Sequence, residues 1–135
     1  MGKVTKEVMG AVFFAEGRVL IMRRAPFLSW AGWWEFPGGK REQGESNEQC
    51  LARELKEELD VEAEIGEFLT ENSHGYDFGT VHLSVYRVRA WKGDIKLTVH
   101  DDMRWVPLKE LADFPQLLPA DIPVAHALER LLGSE

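Results

Sequence analysis

The sequence predicts an α/β fold of the α+β kind, a mixed β-sheet sandwiched between helices in an α/β/α arrangement. Three observations predict it. Strand-like runs open the chain at residues 8–14 and 18–22, an amphipathic helical stretch at 46–59 separates them from further strand-like runs, and a second helical stretch closes the chain at 122–132.

The first two runs are rich in Val, Ile, Leu and Phe, and Ala15, Glu16 and Gly17 between them suit a hairpin or tight return. Residues 25–44 read as a long loop punctuated by Pro26, Gly32, Pro37, Gly38, Gly39 and Gly44. Loops of that length inside compact domains are often functional. Ser46 followed by Gln49 is the capping-box arrangement, and Leu51, Leu55 and Leu59 then place one apolar stripe along a helix. Strands are expected at 63–73, 80–91 and 103–106, with Gly75, Gly79 and Gly93 marking turns. No repeat, low-complexity tract or linker interrupts the pattern, so one domain over residues 1–135 is expected.

With 44% hydrophobic and 29% charged residues the chain has the composition of an ordinary globular protein. Its formal charge of −7 opposes binding to a nucleic-acid polymer, which draws on a basic stripe to neutralise phosphates. A small anionic substrate remains compatible if divalent cations mediate its contact with acidic side chains. Cys50 is the only cysteine, so no internal disulfide forms and a reducing cytoplasm is the expected location. The apolar run at 8–15 is too short to span a bilayer, and Lys6 stands where an acylation pattern starting at Gly2 would need Ser or Thr. No membrane anchor is expected.

The chemistry concentrates on the helix at 46–59. At about 100° per residue, Glu54, Glu57 and Glu58 share one arc beside the leucine stripe, because i, i+3 and i+4 positions face the same way. Like charges at that spacing weaken a helix unless something compensates, and a divalent cation would. A glutamate-rich helix is ordinarily just a solvated face, with Arg53 and Glu57 forming a weak i, i+4 pair. The wider pattern decides against that reading.

From Gly39 the chain runs Gly, five residues, Glu45, seven residues, Arg53, Glu54, Leu55, one residue, Glu57, Glu58, one residue, Asp60, Val61. This resembles the Nudix box, matching eight of its nine specified positions. The departure is Asp60, where the family usually has Gly; the position wants a left-handed backbone, which Asp is among the few residues to tolerate. The resemblance extends to Trp33, Trp34, Glu35, Phe36, Pro37, Gly38, Gly39 and Lys40, to the arginine pair Arg23 and Arg24, and to the segment Leu118, Pro119, Ala120, Asp121, Ile122, Pro123, all similar to MutT-type members.

That resemblance implies a Nudix fold and hydrolysis of a nucleoside triphosphate to monophosphate and pyrophosphate. It implies Mg²⁺, with Mn²⁺ as the substitute, held by Glu54, Glu57, Glu58 and the carbonyl of Gly39, and Arg53 orienting the carboxylates with Glu45 in support. Arg53, Glu54, Glu57 and Glu58 are the implied catalytic set, Glu54 or a neighbouring carboxylate being the general base. Arg24, Phe36, Lys40 and Asp121 are the implied substrate contacts. MutT-type members also carry an acid before a later His; here Val99 precedes His100, so Asp101 or Asp102 is expected to stand in.

Base choice is expected to rest on Asp121. Where 8-oxo-dGTP enzymes carry Asn, an ionised Asp accepts only, which fits the amino group of cytosine. Cytidine nucleotides are therefore the expected substrates, as in the CTP pyrophosphohydrolase branch that the same segment resembles, with 8-oxo-dGTP the alternative. Trp30, Trp33 and Trp34 are expected to pack in the core rather than stack on a base, and His74, His82, His100 and His126 to be structural or surface residues. A different class, a Nudix-like module that binds nucleotide without turnover, would show loss of box acids, and none of the four glutamates is lost. Monomer and homodimer both stay open.

Overall fold

The side chains of β1 (Val4–Val12) alternate between two hydrophobic cores, and that alternation organises the molecule. Met9 and Ala11, with Phe13 just beyond the strand, face one core; Val8 and Val12 face the other. The computed structural model describes residues 4–135, so Gly2 lies outside the described residues.

After β1 come β2 (Phe14–Ala15), β3 (Arg18–Arg24), β4 (Trp34–Glu35), β5 (Gly38–Lys40), α1 (Asn47–Leu59), β6 (Glu62–Tyr76), β7 (Gly79–Lys92), β8 (His100–Pro107), a 3₁₀ turn at Leu108–Asp113 and α2 (Ile122–Leu132). One sheet has the order β5-β1-β7-β6, with β1 and β7 parallel and the other pairs antiparallel. In the second, β3 is flanked by β2, β4 and β8. The expected mixed sheet is thus two sheets, joined where β1 runs on through Phe13 into β2.

Helix α1 covers one face, burying Cys50, Leu51, Leu55 and Leu59 against Met9, Ala11, Phe13, Leu20 and Met22. Helix α2 covers the other, burying Val124, Ala125, Leu128 and Leu132 against Val12, Val19, Ile21, Leu83 and Val85. The α/β/α layering is as expected. Each of the α1 leucines is fully buried, a contribution of about 1.5–3 kcal/mol apiece.

Residues 25–44 depart from the expected loop. Trp34–Glu35 pairs with Met22 and Arg23, and Gly38–Lys40 pairs with Val8–Gly10. Both strands are too short to show a period of two, and the partners that hold them come from distant residues. Strand β6 outruns the expected 63–73 and carries irregularities between Glu64 and Thr70, which explains why Ile65 faces the α1 core while Leu69 faces the α2 core. No helix among the described residues is long and apolar enough to cross a membrane.

Candidate active site

The helix that carries the glutamates is fixed at both ends. Ser46 Oγ accepts the N–H of Gln49 at 3.0 Å while Gln49 Oε1 accepts the N–H of Ser46 at 2.8 Å, the reciprocal cap expected from sequence. At the other end Asp60 adopts φ 56° and ψ 38°, the left-handed conformation that Gly would enter at less cost, and its N–H bonds the carbonyls of Leu55 and Lys56. Beyond it, Lys96 N–H and Thr98 Oγ1 bond the carbonyls of Leu59 and Glu58 at 2.9 Å each.

Arg53 gathers the acidic side chains. Its Nε lies 2.6 Å and its Nη2 3.0 Å from the two oxygens of Glu45, and Nη1 reaches Glu54 at 2.9 Å and Glu57 at 3.2 Å. This fork holds the Glu45 carboxyl down at about 2. Glu54 is pushed the other way by burial. Glu58 goes further, up to about 8, through burial and then through the charges of Glu54 and Glu35.

Gly39 approaches this cluster so closely that a Cβ built on it would collide with the Glu54 carboxylate, which is the physical reason for glycine there. Among the described residues no three acidic or imidazole groups are gathered tightly enough to chelate an ion as they stand, because Arg53 spreads Glu54 and Glu57. The donor set nonetheless fits a hard cation: Glu54, Glu57, Glu58 and the Gly39 carbonyl are all oxygen ligands, and the like charges along one arc, partly buried, are what a divalent ion would relieve.

A cavity of about 400 Å³ opens beside the cluster. Its lining includes Gly39, Lys40 and Glu58 together with Arg24, Phe36 and Asp121. Six of the residues expected from sequence thus share one cavity wall, while Arg53, Glu54 and Glu57 form the adjoining charged cluster. Phe36 is 5% exposed with its ring in the α2 core, and its backbone N–H donates to Asp121 Oδ2 at 3.1 Å. Lys40 is exposed.

Three expectations are corrected. Asp121 is only 5% exposed, and burial, reinforced by the charge of Glu35, holds its carboxyl well above the usual carboxylate range. Burial thus works against the acceptor-only anion expected and favours a carboxyl that keeps its proton and can donate. Asp101 pairs with Arg23 at 2.7 Å and Asp102 caps Met103 N–H at 2.8 Å, and neither lines the cavity. Trp34 is in the core as expected, but Trp30 is 39% exposed and lines the cavity.

Beside Glu58 and Asp121, a third acid stands in the cavity wall, Glu35. Arg24 Nη1 contacts its two oxygens at 3.0 and 3.1 Å, and His100 Nε2 lies 2.9 Å from Oε2. A carboxylate only accepts, so Nε2 carries the proton facing it. The sequence signal for Glu35 is only an acid set between two aromatics, Trp34 and Phe36, since its partner His100 lies 65 residues away.

A sequence model of the NUDIX domain matches residues 4–130. The chain belongs to the Nudix family. It is 36% identical over 125 residues to a CTP pyrophosphohydrolase of Escherichia coli (strain K12), covering 93% of this chain and 92% of that protein. It is 33% identical over 127 residues to an 8-oxo-dGTP diphosphatase of the same organism, covering 91% of this chain and 95% of that one. Among solved structures, the E. coli ORF135 protein superposes with a TM-score of 0.86 at 34% identity, over 98% of this chain and 94% of that one. This Nudix chain is accordingly a hydrolase of the pyrophosphohydrolase kind.

Proposed function

We propose that this Nudix enzyme hydrolyses nucleoside triphosphates to the monophosphate and pyrophosphate, with cytidine nucleotides preferred, as a single domain over residues 1–135. The observation that carries this reading is one cavity whose wall includes Glu58 and Gly39 of the box together with Phe36 and Asp121, a combination suited to a triphosphate joined to a base.

Glu54, Glu57, Glu58 and the Gly39 carbonyl would hold Mg²⁺ or Mn²⁺, which when bound supplies charge neutralisation for the triphosphate. Arg53 keeps Glu45, Glu54 and Glu57 oriented through its fork. Lys40 faces the cavity and is suited to a phosphate oxygen, as is any Arg24 donor not committed to Glu35 and Ser29. Water attacks an internal phosphorus, and Glu54 or a neighbouring box carboxylate takes its proton.

At the base end, Asp121 Oδ2 accepts from Phe36, and in the protonated form that burial favours Oδ1 would have an O–H to offer. Cytosine presents an acceptor, N3, beside its amino donor. The relative named for CTP matches over nearly the whole chain, which supports this choice. A second reading, 8-oxo-dGTP, is favoured by the same neutral carboxyl, because an O–H donor meets O6 of an oxidised guanine as an amide would. Monophosphate and pyrophosphate release across a nucleotide panel with Mg²⁺ tests both: highest kcat/KM for CTP or dCTP is expected, highest for 8-oxo-dGTP selects the second reading, and no turnover of any triphosphate overturns the proposal.

A further inference from the structure

The residue before Asp121 has both of its backbone polar groups held by one strand. Ala120 N–H donates to the phenol oxygen of Tyr76 at 3.2 Å, and Ala120 O accepts from Asn72 Nδ2 at 3.1 Å. Ala120 itself is 3% exposed, so neither backbone group has water as a ready alternative partner. Both side chains come from β6, four residues apart, and so project from the same face of the strand.

Tyr76 is in turn wedged. Its ring stacks on Phe78 with centroids 5.5 Å apart and planes 5° from parallel, and it meets Trp30 edge-on at 5.5 Å. All three rings line the cavity. The phenol oxygen accepts from Ala120 and keeps its own proton, since burial raises Tyr76 above its ordinary value of 10. The last residue of β6 is thus held on two aromatic faces and aims its oxygen at the peptide preceding Asp121.

We infer that Tyr76 and Asn72 are positioning residues for base discrimination, clamping the Ala120 peptide so that Asp121 meets the base in one orientation. The inference rests on the reading of Asp121 as the base-contacting group. Neither residue belongs to the box or to the segment at 118–123, and β6 is otherwise a strand of the sheet. The clamp acts on the backbone ahead of Asp121, whereas Phe36 N–H holds Oδ2 of its side chain. Carboxyl and backbone are therefore fixed by different elements, and loosening the backbone leaves the carboxyl free to swing about its bond to Phe36.

The test uses the full chain with Mg²⁺ and measures kcat and KM separately for CTP, dCTP, UTP, dGTP and 8-oxo-dGTP in the wild type, Tyr76→Phe and Asn72→Ala. Tyr76→Phe keeps the ring and removes only the oxygen. The ratio of kcat/KM between best and worst nucleotide should shrink by about tenfold, mostly through KM, because a displacement of ångström scale can cost up to about a hundredfold. Turnover of the best substrate should stay within about threefold, since the glutamate helix is untouched. The Phe36 amide resonance should shift in both variants. If Tyr76→Phe fails to fold, Asn72→Ala carries the test. An unchanged ratio, an equal fall for every nucleotide, or a wild type with no base preference overturns the clamp. Preference for a base other than cytosine removes the substrate assignment alone, because the ratio is then taken for that base.

Discussion

Asp121 Oδ2 sits 3.1 Å from the backbone nitrogen of Phe36, tying the residue ahead of α2 to the residue between β4 and β5. The contact joins the expected base-reading segment to the turn that delivers Gly39. Burial of Asp121 disfavours its charged form, and a carboxyl that keeps its proton resembles an amide in donating and accepting.

Asp121→Asn is therefore a mild change. Both side chains accept through one atom and donate through the other, so kcat/KM for CTP should change by less than about tenfold. Asp121→Leu removes the acceptor for a buried N–H, which costs about 1–3 kcal/mol of stability. Thermal midpoints and kcat/KM for CTP and 8-oxo-dGTP check both; a fall of two orders of magnitude for CTP in the Asn variant would mean that Asp121 works as an anion.

Glu57→Gln and Glu58→Gln should leave the fold intact and lower turnover by orders of magnitude, because an amide oxygen is a far weaker ligand for Mg²⁺ than a carboxylate. Steady-state rates against Mg²⁺ concentration, beside a melting curve, measure this. Near-normal activity in either variant removes that residue from the ligand set.

Glu35→Gln and the double change Asp101→Ala, Asp102→Ala should separate cleanly. Glu35 anchors Arg24 and His100 in the cavity wall, and weakening hydrogen bonds to a charged group costs about 1.5–3 kcal/mol, so kcat/KM should fall by roughly ten- to a hundredfold. The two aspartates face Arg23 and Met103 instead, and their loss should leave the rate and its pH profile unchanged. The reverse result would return the catalytic acid to the start of β8.

His82 offers a pH test at a side chain that does not line the cavity. Its Nδ1 lies 2.7 Å from Glu7 on β1 and its Nε2 2.6 Å from Glu71 on β6, and both carboxylates raise it above the ordinary 6.5. A raised value means that this contribution to stability is complete below about 6.5, the unfolded value, and is lost as pH rises through the higher folded value. Urea unfolding of the wild type and His82→Gln across that window should show the stability gap closing as pH rises. A gap independent of pH would mean the imidazole contributes by packing alone.

What was legible in the sequence was local. The Ser46 and Gln49 cap, the leucine stripe, the left-handed Asp60 and the bounds of α2 each follow from residues within a turn or two of one another. The box glutamates were legible for the same reason, being brought together by helical spacing. What stayed hidden depends on distant partners: β4 and β5 exist because β3 and β1 supply their hydrogen bonds, and Glu35 meets His100 across 65 residues. The enclosure of Asp121 was hidden too, because only packing between distant elements shows the carboxyl to be buried.

The alternation of β1 between two cores has a consequence for misfolding. A slip of one position against β7 would turn Met9, Ala11 and Phe13 toward α2 and Val8 and Val12 toward α1, spoiling both layers at once. Wrong parity is thus penalised twice, with no bulge or buried charge needed to forbid it. Strand β5 inherits that security: Gly39 lies opposite Met9, so the glycine that makes room for Glu54 is indexed by the same strand that both cores hold in step.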